Sequence, residues 1–145
     1  MAAQHGLGWR MLMAAGGVLA MGAVGNPLKA FQWKARVLVV SAPSKIDRQY
    51  LAQTEMLAHD PEGRKERALE IIPLVGDGEG MPFDVSALRE RLSLPADRFE
   101  VVLVGKDGTV VLRRHGPLAL GELFTRIDAM PMRRAELRKR AEEDQ

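Results

Sequence analysis

After residue 25 the apolar positions fall into short blocks whose spacing changes from block to block. Val37-Leu38-Val39-Val40, inside Arg36 to Ser41, is an unbroken aliphatic run of the kind a strand shows when both its faces are covered. Ser41-Ala42-Pro43-Ser44 ends the run, and Ser44 with Asp47 three residues on has the form of a helix start. Ile46, Tyr50, Leu51, Thr54 and Leu57 then recur at near-helical spacing as far as Asp60-Pro61-Glu62-Gly63. A second apolar run, Leu69 to Val75, contains Pro73, which has no N–H for a ladder and so belongs on an edge strand. Gly76 to Gly80 reads as a loop, and Val85, Leu88, Leu92 and Leu94 as a short helix closed by Pro95. Phe99 to Val104 and Thr109 to Leu112 form a hairpin around Gly105-Lys106-Asp107-Gly108. Gly116-Pro117 opens a helix with the stripe Leu120, Leu123, Phe124 and Ile127, and Pro131 stops or kinks it.

The order strand, helix, strand, helix, strand, strand, helix predicts an α/β fold. Right-handed crossovers and short connections make it a βαβ half followed by a ββα half, a thioredoxin-like three-layer sandwich with a four-stranded mixed sheet in the order 2-1-3-4. Residues 26–132 make that domain, and 133–145 a charged C-terminal helix or tail, basic at Arg133, Arg134, Arg138, Lys139 and Arg140, then acidic.

Residues 1–25 follow another rule. They hold Arg10 but no acidic residue, and Met11 to Val24 carries no charge, which is the pattern of an export signal. The expectation is a periplasmic or secreted protein with no stable membrane insertion after cleavage. Formal net charge is +2 for the whole chain and +1 without that segment, so composition gives no reason to expect nucleic acid as a partner. With no cysteine among 145 residues, disulfides, thiolate metal sites and thiol catalysis are excluded.

Leu28 through Trp33, Arg36-Val37-Leu38-Val39-Val40, Ala42-Pro43-Ser44, Gln53, Glu66-Arg67, the Leu103-Val104-Gly105-Lys106-Asp107-Gly108 hairpin and Ile127-Asp128-Ala129-Met130-Pro131-Met132-Arg133-Arg134 together resemble the bacterial domain of unknown function 4174. The resemblance implies a thioredoxin- or peroxiredoxin-like fold and a relation to domains of animal extracellular-matrix proteins concerned with adhesion and polysaccharide binding. It implies no established activity. Where thioredoxins carry their reactive cysteines this chain has Ser41-Ala42-Pro43-Ser44-Lys45, and serine cannot do that work.

Two groups of residues are candidates for binding. At the strand-to-helix corner, Ser44, Lys45 and Asp47 occupy the natural ligand position of an open α/β sheet, with plain helix capping as the competing explanation. The second group is Arg36, Lys106, Arg113, Arg114, Arg133 and Arg134, whose guanidinium forks suit an anionic polysaccharide or protein partner if they converge, with Asp107 and Asp128 available as internal partners instead. His59 and His115 lack metal-ligand spacing, no nucleophile elbow is present, and Gly76 to Gly80 lacks the Lys-Ser or Lys-Thr of a phosphate loop. The reading is therefore a binding module without cofactor or metal. The alternatives are an enzyme of unknown chemistry, degenerate oxidoreductase-like, at the Ser41 to Asp47 corner, and a structural subunit pairing through the Thr109 to Leu112 edge.

Overall fold

A computed structural model describes residues 26–145; the export segment expected in residues 1–25 lies outside the described residues. The elements are α1 (Pro27–Phe31), β1 (Arg36–Ala42), α2 (Arg48–Ala58), α3 (Pro61–Glu66), β2 (Leu69–Val75), α4 (Val85–Leu92), β3 (Glu100–Val104), β4 (Val110–Arg114), α5 (Leu120–Asp128) and α6 (Pro131–Glu143). The sheet runs β2-β1-β3-β4, with β1 and β2 parallel and the other pairs antiparallel, as the element order requires. Pro73 lies on the outer strand β2, opposite Val40.

Alternation along the strands divides the core between the two faces of the sheet. Val37, Val39, Ile72, Leu74, Val102 and Val104 pack under Phe31 of α1 and Val85, Leu88 and Leu92 of α4. On the other face Leu38, Val40, Ile71, Val101 and Leu103 meet Leu57 of α2 and Leu123 and Ile127 of α5. Buried Gln53 ties the chain before α5 to this layer, donating to the Leu118 carbonyl at 3.0 Å and accepting from its N–H at 2.7 Å.

Several boundaries differ from expectation, each for a local reason. Ser44 does not cap α2: Asp47 does, its carboxylate accepting from Tyr50 N–H at 3.0 Å, while the Ser44 backbone carbonyl accepts from Asp47 N–H. Asp60-Pro61 ends one helix and also begins another, because Asp60 caps α3 through Gly63 N–H and Pro61 has no N–H to lose at the first helical position. Ser93, left-handed at φ 55°, closes α4 before Pro95 is reached. The hairpin strand β4 begins at Val110 and extends to Arg114, with a register shift opposite Leu103/Val104. Helix α5 starts at Leu120, after Gly116-Pro117, with no side-chain cap.

Candidate functional site

The residues expected to bind a ligand lie at opposite ends of the sheet. Ser44, Lys45, Asp47 and Arg113 belong to the end where β1 and β2 finish, whereas Arg36, Lys106, Arg133 and Arg134 belong to the end where β1 and β2 begin and the hairpin turns. They do not form one cationic surface.

At the first end the polar groups are already committed. Asp47 caps α2, and Arg113 donates to Glu100, a buried residue of β3, and to the Leu92 carbonyl at the C-terminus of α4. Lys45 is exposed. Beneath the corner lies Arg89 of α4, only 6% exposed. It donates from Nε to Ser41 Oγ at 3.1 Å and from Nη2 to the carbonyls of Ala42 and Leu74 at 3.0 and 2.8 Å, and it also reaches the Gly76 carbonyl. This buried cation is satisfied by the backbone where the two parallel strands end, so it pins the loops beyond them rather than facing a ligand. Burial lowers its pKa. The sequence carried a sign of it: Arg89 stands four residues after Val85 and on the face shared with Leu88 and Leu92, an inward position for a 3.6-residue period.

At the other end the arginines are latches. Arg36 is 1% exposed; it donates to the Arg67 carbonyl at 2.8 Å and pairs with Glu136 of α6 at 2.6 Å, while Lys106 of the hairpin reaches the same carboxylate at 3.3 Å. Arg133, 2% exposed, bonds Asp128 at 3.0 Å and Glu66 at 3.3 Å. Arg67 bonds Asp128 at 2.9 Å and lies over the Phe124 ring 4.0 Å from its centroid, and Arg140 reaches Glu66 at 2.9 Å. Arg36 and Arg133 are thus corrected from surface groups to buried ones, because α6 folds back and supplies or shares their carboxylates. Asp128 is an internal partner that the sequence offers; Glu66 and Glu136 carry no such sign, since nothing local marks a carboxylate that pairs across a fold. Segments that carried the family resemblance, around Arg36, Glu66-Arg67, Lys106 and Asp128 to Arg133, are the ones that meet here.

The carboxylates respond to these partners. The Arg133 hydrogen bond is foremost in holding Glu66 below its ordinary range. For Asp128 and Glu136 burial works upward, but hydrogen bonds from Arg67 and Arg133 in one case and from Arg36 and Lys106 in the other bring both below theirs. With its inner side spent, α6 presents Arg134, Arg138 and Lys139 to solvent, and among the described residues none of the three has a carboxylate at ion-pair distance. Arg134 and Arg138 stand one turn apart on the same side. Arg114 is neutralised by Glu122 of α5.

Among the described residues no group of three His, Asp or Glu side chains is placed to hold a metal ion, and no helix is long and apolar enough to cross a membrane. Open clefts lie elsewhere, one between α1 and α4 beside Asp84, Glu90 and Arg91, another between β4 and α5 beside Leu112 and Arg126.

Comparison with known proteins gives a family match and a set of animal relatives. The model of a family described as "Domain of unknown function (DUF4174)" matches residues 27–136. Sushi repeat-containing protein SRPX2 of Rattus norvegicus is 35% identical over 129 residues, covering 80% of this chain and 27% of that protein. The Homo sapiens protein of the same name is 33% identical with the same coverage. Coiled-coil domain-containing protein 80 of Danio rerio is 28% identical, covering 77% of this chain and 16% of its own length. The chain therefore spans about a quarter or less of these relatives. No solved structure matches it significantly.

Proposed function

The chain belongs to the DUF4174 family, and we propose that this member is an exported, non-redox binding module of thioredoxin-like build whose partner is an anionic surface such as an envelope polysaccharide. The observation that carries the reading is the division of labour on α6: Arg133 and Arg140 are spent on Glu66 and Asp128, and Glu136 on Arg36 and Lys106, which leaves Arg134, Arg138 and Lys139 exposed on a fixed helix. Cations held in register lose less freedom on meeting a polyanion than cations on a loose tail. The lack of cysteine removes the chemistry that a thioredoxin-like fold ordinarily performs at its first strand-to-helix corner. A periplasmic or secreted location follows from the character of residues 1–25.

The test is retention on immobilised heparin. Replacing Arg134 and Arg138 together by Ala, with Arg133 kept, removes two exposed charges without touching the latch, and is expected to weaken binding about tenfold and to flatten its salt dependence. The melting temperature should not move. Unchanged retention, or retention indifferent to salt, would overturn the charge-based reading.

A further inference from the structure

Trp33 is the exposed aromatic among the described residues: it is 64% exposed, while Phe31, Phe83 and Phe99 are buried and Tyr50 and Phe124 are partly so. Its φ is 69°, in the left-handed region that a bulky residue enters at a cost and glycine enters freely. An indole in water and a strained backbone therefore coincide on one residue, and packing repays neither. The turn is firmly held nonetheless. Trp33 N–H donates to the Lys106 carbonyl at 2.6 Å, and Gln32 Nε2 donates to the Asp107 carbonyl at 3.0 Å. The platform is thus anchored to the hairpin turn, at the end of the sheet where Lys106 also meets Glu136 of α6.

Trp33 is flanked in the chain by Gln32 and exposed Lys34, and the hairpin bonded to its turn carries Asp107 and Thr109. An exposed flat apolar ring on a turn rich in donors and acceptors fits a pyranose. The sugar's C–H face meets the electron-rich ring face, and its equatorial hydroxyls find hydrogen-bonding groups on the turn. A lipid surface needs a continuous apolar stripe, and a protein hot spot a well-packed pocket closed to water. We propose that Trp33 is the stacking platform of a pyranose subsite for an acidic polysaccharide, at the turn between α1 and β1. This rests on the anionic-glycan reading above and adds the residue that meets the sugar ring rather than its charge.

The experiment is fluorescence anisotropy of a labelled oligogalacturonide titrated with the full chain. Trp33→Gly and Trp33→Ala are expected to weaken binding about tenfold or more, and Trp33→Phe to stay within about threefold of the parent. The Gly variant should melt no lower than the parent, since glycine relieves the positive φ; a lower melting temperature would overturn the strain argument. A Gly variant that binds like the parent overturns the platform, and if Arg134→Ala with Arg138→Ala still weakens binding, the anionic-glycan reading survives that result. A parent chain that binds no oligogalacturonide overturns both. Equal binding of an uncharged oligoglucan, lost on Trp33→Gly, upholds the platform and overturns the requirement for an acidic sugar.

Discussion

Arg89 shows how one side chain can define a corner. Its guanidinium spans the Ser41 hydroxyl and the carbonyls of Ala42, Leu74 and Gly76; removing it takes a bond from each, and although the Ala42 carbonyl keeps the Gly76 N–H, every group left unpaired costs about 1–3 kcal/mol. Arg89→Met is therefore expected to lower unfolding stability by roughly 3 kcal/mol, read from the urea midpoint. Arg89→Lys should recover little of it, because a point ammonium cannot reach carbonyls of two strands and a loop from one plane. Helical periodicity made the inward position legible; the identity of its partners was not, because backbone carbonyls at strand ends have no signature in sequence. Asp47 is the opposite case. A capping residue announces itself over three positions, and only the choice between Ser44 and Asp47 needed the fold.

At the level of elements, α6 is unusual in what holds it. Its first turn carries Arg133 and Arg134 and its end carries Glu142 and Glu143, the reverse of what the helix dipole favours, and its one buried side chain is an arginine. The helix therefore owes its place to ion pairs rather than to an apolar stripe. Glu66, Asp128 and Glu136 all titrate below their ordinary values of 4.5, 3.8 and 4.5, so their contribution is complete at neutral pH and is lost as pH falls through the lowered values. Glu136→Gln combined with Asp128→Asn is expected to speed hydrogen exchange in α6 about tenfold at neutral pH while the β1 amides stay protected. The wild-type helix should show the same selective loss on acidification; uniform loss across the sheet would contradict the latch. The sequence marked this segment as charged and left open whether it packs. Hydrophobic periodicity is silent when the docking face is ionic.

For the whole molecule, the sheet order was readable because Pro73 marks an edge, the 105–108 turn marks a hairpin, and crossover handedness leaves few arrangements. Site placement was less readable: contacts between residues far apart, such as Arg67 with Asp128, decide which charges are free. The same long-range packing places Glu70 half-buried on β2, where burial pushes its carboxyl up to about 7 against the counter-pull of Arg64. A folded value above the unfolded 4.5 means that stability is full below 4.5 and declines as pH rises toward 7, the reverse of the α6 carboxylates. Urea midpoints should therefore peak in mildly acidic solution. Glu70→Gln should be more stable than the parent at pH about 8 and indistinguishable from it at about 4; an equal deficit at both would remove Glu70 as the cause. The Arg36–Glu136 pair also sets a timetable: its partners lie 100 positions apart, so a chain still being synthesised holds a cation at the start of β1 before its Glu136 partner exists. Closure waits until α6 has emerged, a hundred positions after β1 begins, which makes the docking of that helix a late step in completing this fold.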